Sequence, residues 1–149
     1  MTDKLIKLLK SKKLTLAVAE SCTGGALMAS IVKVPGASEI LPGGVVAYSD
    51  EAKIKLLGVN KEIIKIYGAV SREVAIEMAM EVKTRFGADI GVAVTGFAGP
   101  SGDRIGEVRF AISINNGVFH ATKNFSGKTR CEVIDASVEF LAEWICEKI

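Results

Sequence analysis

The 149-residue sequence has one histidine, three cysteines and three prolines, and each scarcity closes off a kind of chemistry or architecture. The lone His120 falls in a segment that reads as a hairpin strand, with no aspartate partner evident, so a Ser-His-Asp triad is not expected. Cys22, Cys131 and Cys146 are odd in number and form no CxxC pair, which argues against a disulfide framework or a zinc site. Reduced thiols and a cytoplasmic location are the expectation. There is no proline-rich linker, internal repeat or low-complexity stretch. No apolar run approaches membrane-spanning length, and the start, MTDKLIKLLKSKK, is too charged for a signal peptide, so no membrane partner is expected. Charge of one sign is also missing: 19 Lys+Arg stand against 17 Asp+Glu, a net +2. The only basic cluster, Lys10, Lys12 and Lys13, suits a helix C-terminus better than a nucleic-acid stripe.

What is present fits one domain over residues 1–149, with 49% apolar residues to fill a core. Leu5, Ile6, Leu8 and Leu9 mark a first helix, capped by Thr2 or Asp3. Leu14 to Ala19 reads as a buried strand, followed by a helix from Thr23 to Val34 that Pro35-Gly36 stops. Gly43 to Ser49 reads as strand, EAKIKLLG as a short helix ended by Gly58, and Asn60 caps a further helix to Tyr67. Ser71 opens a helix whose Val74, Ala75, Met78, Ala79, Val82 and Phe86 share one face. Ala88 to Val94 is a fully buried strand. Gly106 to Ile114 and Val118 to Asn124 pair about an Asn115-Asn116-Gly117 turn, and a last helix runs from Lys128 to Lys148. This alternation predicts an α/β fold: a three-layer α/β/α single domain with a mixed, mostly parallel sheet and one C-terminal β-hairpin. Such sheets hold ligands at the carboxyl ends of their strands, which directs attention to the residues after Ala19, Ala47 and Val94.

The first of these segments is Ala19-Glu20-Ser21-Cys22-Thr23-Gly24-Gly25. A hydroxyl at a strand-to-helix junction faces the open N–H groups of the helix, which favour developing negative charge. Ser21 and Thr23 equally suit helix caps, and Cys22 is a rival nucleophile or a packing residue. The second is Val46 to Lys53, where Tyr48 ends a strand and Lys53 lies on the next helix. A lysine can serve as base when burial depresses its pKa, and Ile54, Leu56 and Leu57 offer apolar neighbours; a solvated lysine beside a core tyrosine is the plainer reading. The third is Thr95-Gly96-Phe97-Ala98-Gly99-Pro100-Ser101-Gly102-Asp103-Arg104. It can present N–H groups to an anion, with Arg104 adding a bidentate contact, or serve only as a surface connection. It is neither a P-loop nor a GxGxxG fingerprint.

AESCTGG, YSDEAKIKLLGV, GAVSREVA and TGFAGPSG, in that order and spacing, resemble the CinA C-terminal domain family from about Leu14 to Arg130. The resemblance implies hydrolysis of the carboxamide of nicotinamide mononucleotide to nicotinate mononucleotide and ammonia, without metal or organic cofactor. It implies a serine nucleophile, Ser21, with Lys53, Tyr48 and Thr95 in the catalytic set. Thr23, Gly24, Gly25, Gly96, Gly99, Arg104 and Arg130 are the residues expected around the substrate. The helix-start position of Ser21, and not the resemblance, points to backbone N–H groups near Thr23 and Gly24 as oxyanion donors. Homo-oligomers are common in the family, and one is expected here. The chain departs from the family pattern in two places: the stretch after Pro100 is short, and Gly127-Lys128-Thr129-Arg130 stands where family members carry GDR and a further arginine. Lys128 and Arg130 remain candidates for a substrate phosphate. Both departures fall where substrate affinity is set. A non-catalytic module binding a nucleotide or phospho-ligand, or an amidase for another substrate, is the alternative.

Overall fold

A computed structural model describes residues 1–149. Its helices are α1 (Thr2–Lys12), α2 (Ala26–Val32), α3 (Asp50–Leu57), α4 (Lys61–Tyr67), α5 (Arg72–Phe86) and α6 (Arg130–Lys148). Its strands are β1 (Leu16–Glu20), β2 (Gly43–Val46), β3 (Ile90–Gly96), β4 (Glu107–Ile114) and β5 (Gly117–Asn124). They form one sheet in the order β2-β1-β3-β4-β5. β1 pairs in parallel with both β2 and β3, whereas β3–β4 and β4–β5 are antiparallel, so only β4 runs against the other four.

Side chains alternate across each strand, and here the alternation sorts them by size. Leu16, Val18, Ile90, Val92, Val94, Phe110 and Ile112 pack against α1, α2 and α6. Ala17, Ala19, Ala93 and Ala111 face α3, α4 and α5. The small residues let α5 lie close on the sheet: a Cβ on Gly91 would stand 2.1 Å from the Ala79 carbonyl oxygen. The three layers of the expected fold are therefore present, with large side chains on one face of the sheet and near-bare backbone on the other.

Several boundaries differ from the sequence reading for local reasons. Neither Thr2 nor Asp3 caps α1; both lie inside it, and Met1 takes the cap position without a side-chain bond. The helix expected from Thr23 begins only at Ala26, because Gly24 (φ 59°) and Gly25 (φ 100°) turn the chain first. Neither Ser21 nor Thr23 caps it. The strand expected to run to Ser49 ends at Val46, and Ser49 instead caps α3 by accepting from the Ala52 N–H. The helix starts expected at Asn60 and Ser71 hold: Asn60 accepts from the Glu62 N–H and Ser71 from the Val74 N–H. Thr129 and Glu132 form a reciprocal capping box that starts α6. The β4–β5 turn is Asn115-Asn116, with Asn115 at φ 53°, and Gly117 already pairs with Ile114. No helix is long and apolar enough to cross a membrane.

Candidate active site

Strand order makes the site. From β1 the chain crosses to β2 on one side and then returns to β3 on the other, so a crevice opens at the carboxyl ends of β1 and β3. The ladder continues past the strand ends. The Ser21 N–H donates to the Val94 carbonyl at 3.0 Å, and the Ala47 N–H donates to the Glu20 carbonyl at 2.8 Å. Ser21 is thus fixed between the ends of β2 and β3.

Lys53 reaches this point from the first turns of α3, whose start is held by Ser49. Its side chain is only 2% exposed, against the sequence expectation that a lysine is solvated. Nζ lies 3.0 Å from Ser21 Oγ and donates to the Ala47 carbonyl at 3.1 Å. No carboxylate forms an ion pair with it. Burial pushes its pKa below the ordinary lysine value, with Asp50 opposing part of that effect. The result is a hydroxyl and an amine in hydrogen-bond contact, with the amine biased towards its neutral form.

A cleft of about 210 Å³ opens over Ser21 and is lined by Cys22, Tyr48, Gly96, Phe97, Ala98, Gly99, Ser101 and Arg130 as well. Arg130, at the start of α6, donates to the Tyr48 hydroxyl and to the Gly99 carbonyl. It therefore ties the residue after β2 to the loop after β3. Tyr48 is 57% exposed and bonds to neither Ser21 nor Lys53. Gly99, at φ 82°, precedes a cis peptide to Pro100.

The other expected residues divide. Thr95 is buried and donates to the Ala69 carbonyl at 3.0 Å, without a bond to Ser21 or Lys53. Arg104 is engaged elsewhere: it pairs with Glu107 at 2.9 Å, donates to the Val70 carbonyl and lies over the Phe97 ring. It does not line the cleft, because the short loop after Pro100 turns it back towards α5. Lys128 does not line it either. Gly24 and Gly25 serve the turn geometry, and Gly96 sits where a Cβ would meet the Glu107 carbonyl at 2.9 Å.

Of the N–H groups expected as oxyanion donors, that of Thr23 has no backbone acceptor and that of Gly24 has one. The Gly24 N–H is taken by the Ser21 carbonyl at 3.0 Å. The first N–H groups of α2 are taken as well, by the Glu20 carboxylate: Leu27 at 2.7 Å and Met28 at 3.3 Å. The Cys22, Thr23 and Gly25 N–H groups of this turn lack a backbone acceptor. Glu20, fully buried, is the residue that sequence reasoning missed. Its signal was an acid at the end of the otherwise apolar run LAVAE.

Two rivals are weakened by their surroundings. Burial pushes the Cys22 thiol up to about 12, so little thiolate exists near neutrality. His120 lies on β5 opposite Ala111, two strands from β3, and its buried Nε2 has no partner. A larger open groove lies at the opposite end of the sheet, beside Lys83, Thr84 and Asn115, but there the Lys83 ammonium is spent on the Asn115 carbonyl.

The CinA C-terminal domain model matches residues 1–149. A CinA-like protein of Fervidobacterium nodosum is 47% identical over 131 residues, covering 85% of this chain and 32% of the relative. A putative competence-damage inducible protein of Clostridium acetobutylicum is 42% identical over 153 residues, covering all of this chain and 37% of the relative. The chain thus spans about a third of the length of these relatives. Among solved structures, a competence-damaged protein (CinA) superfamily protein from Escherichia coli superposes with a TM-score of 0.96 at 33% identity, covering 99% of this chain and 88% of that one. A competence or damage-inducible protein from Enterobacter asburiae gives 0.93 at 37% identity, covering 98% and 94%. Sequence and fold agree along the whole chain, which belongs to the CinA C-terminal domain family.

Proposed function

We propose that this protein is an amidohydrolase that removes the carboxamide nitrogen of nicotinamide mononucleotide, with Ser21 as nucleophile and Lys53 as base. The observation that carries the reading is the 3.0 Å contact between Lys53 Nζ and Ser21 Oγ in a buried setting. With the amine neutral, one N–H stays on the Ala47 carbonyl and the nitrogen lone pair faces the serine proton.

The chemistry balances without any other base. Ser21 Oγ attacks the carboxamide carbon while its proton passes to Lys53. The tetrahedral oxygen is met by free N–H groups of the turn, drawn from those of Cys22, Thr23 and Gly25. Lys53 returns the proton to the leaving nitrogen, the C–N bond breaks and ammonia departs. Water then attacks the acyl-serine, gives a proton to Lys53, and the acid leaves as Ser21 recovers its hydrogen. Thr95 holds the preceding loop through Ala69, and Arg130 brings the one cation that lines the cleft, suited to a phosphate.

Purified protein is expected to release ammonia from nicotinamide mononucleotide, and Ser21→Ala is expected to release none while keeping its fold. Equal release by both proteins would refute the nucleophile assignment. No release by the wild type would refute the substrate.

A further inference from the structure

The Glu20 carboxylate is fully buried beside the nucleophile, and no cation pairs with it. A charge so placed is costly unless its oxygens are well supplied with donors. Here they are. Oε1 accepts from the Thr23 hydroxyl at 2.8 Å and the Leu27 N–H at 2.7 Å, and Oε2 accepts from the Met28 N–H at 3.3 Å. Strand alternation explains how Glu20 and Ser21 can be neighbours with separate tasks. Glu20 follows Leu16 and Val18 onto the α2 face, while Ser21 follows Ala17 and Ala19 to the side of α3 and Lys53.

The turn between them is short and bound at several points. The Ser21 carbonyl takes the Gly24 N–H, the Thr23 carbonyl takes the Ala26 N–H, and the Thr23 hydroxyl is held by Glu20. With Leu27 and Met28 also on the carboxylate, the start of α2 cannot slide relative to β1 without breaking bonds to a buried charge. The helix's own positive end is thereby satisfied internally, and the Cys22 and Thr23 N–H groups are left without backbone acceptors.

We infer that Glu20 is the positioning residue of the nucleophile: through Thr23 and the first N–H groups of α2 it sets the turn that holds Ser21 Oγ on Lys53. The inference rests on Ser21 acting as nucleophile, but not on the identity of the substrate. It assigns the carboxylate no contact with substrate and no proton transfer.

The test is the rate at which an alkyl fluorophosphonate labels Ser21, with the labelled residue identified by mass spectrometry. In that reaction Ser21 Oγ forms a bond to phosphorus, fluoride leaves and the serine proton passes to Lys53. Glu20→Gln and Thr23→Val are each expected to lower the limiting labelling rate at least about tenfold, while the half-saturating probe concentration stays within about threefold, as misalignment of a reacting atom requires. Thr23→Ser, which keeps the hydroxyl, should recover most of what Thr23→Val loses. Asp89→Ala serves as a fold-weakening control, because Asp89 binds the Thr15 N–H and hydroxyl at the far end of the sheet, and its labelling rate should match the wild type. Should Glu20→Gln fail to fold, Thr23→Val decides. Wild-type rates in both variants would overturn the positioning role and leave the nucleophile standing. A wild-type protein unlabelled at Ser21 would remove the nucleophile and the positioning role together.

Discussion

Lys53 Nζ stands 3.0 Å from Ser21 Oγ and 3.1 Å from the Ala47 carbonyl oxygen, and no carboxylate forms an ion pair with it. An ammonium there would donate to both oxygens; a neutral amine would donate to one and accept from the other. Only the second state can take a proton. Activity should therefore rise with pH as Lys53 deprotonates, at a pH below that of an ordinary lysine, since burial lowers its pKa. Lys53→Met is expected to lower kcat by about 10²–10⁴-fold, the usual worth of a positioned base. Lys53→Arg should be as poor, because a guanidinium does not deprotonate in a protein. A pH–rate profile of each variant checks this, and an unchanged profile in Lys53→Met would remove the base assignment.

The same lysine predicts a stability slope. Its folded pKa is lowered, so between that value and the unfolded value of 10.5 the unfolded chain binds more protons than the folded one. Stability relative to Lys53→Met should therefore increase as pH rises through that window and level off above it. Urea unfolding of both proteins at several alkaline pH values measures the difference. Wild-type stability that falls relative to Lys53→Met with rising pH would contradict the burial account.

Cys22 adjoins Ser21, yet burial pushes its thiol up to about 12. Cys22→Ala should keep turnover within about twofold, since the thiol form is a poor nucleophile. The small packing loss should cost about 1 kcal/mol. Iodoacetamide at neutral pH should modify the exposed Cys131 first and leave Cys22 last. Loss of turnover in a folded Cys22→Ala protein would move the chemistry from oxygen to sulfur.

The layer order and the carboxyl-end site were legible because they depend on periodicity and on where apolar runs stop. The Asn60 and Ser71 helix starts were legible because capping is a local signal, whereas the last helix, expected from Lys128, starts at Arg130 behind the Thr129 cap. Ser21, Tyr48 and Lys53 stood out at strand ends and took their roles from the resemblance, and the fold brings Ser21, Tyr48 and Arg130 to one cleft with Lys53 beneath it. That Arg104 lies outside the cleft was not legible, because loop direction depends on tertiary contacts, here Glu107, Val70 and Phe97, that no spacing rule encodes. The start of α2 was misjudged for a related reason. Gly25 holds the cap position without a side-chain bond, and the acceptor for the Leu27 N–H is Glu20, seven residues earlier, outside the usual window of one to three residues.

Gly91 tests the packing that carries Ser21. Its missing side chain lets α5 rest on β3, since a Cβ at this position would stand only 2.1 Å from the Ala79 carbonyl oxygen and 2.6 Å from Lys83 Cβ. Because a backbone atom blocks the space, no rotamer change can relieve Gly91→Ala. The expected cost is about 1–3 kcal/mol or somewhat more, seen as a lower urea midpoint at unchanged slope. A neutral outcome would mean that α5 is free to lift from the sheet.

Arg130 offers a test of whether substrate recognition is separable from chemistry. Its guanidinium spans the cleft from the Tyr48 hydroxyl to the Gly99 carbonyl, and no carboxylate forms a salt bridge with it. A cation without an acidic partner, at the start of a helix and lining a cleft, is free to exchange these neutral acceptors for a phosphate. Arg130→Ala should raise KM for nicotinamide mononucleotide about 10–100-fold, the worth of hydrogen bonds to a charged group, with a smaller effect on kcat. Arg130→Lys should recover little, since one ammonium cannot reproduce the fork. The decisive comparison is nicotinamide riboside, which lacks the phosphate. If Arg130 binds that group, wild type and Arg130→Ala should handle the riboside alike. An equal loss on both substrates would instead assign Arg130 to holding Tyr48 and the Gly99 loop in place, and would leave phosphate recognition to another part of the chain.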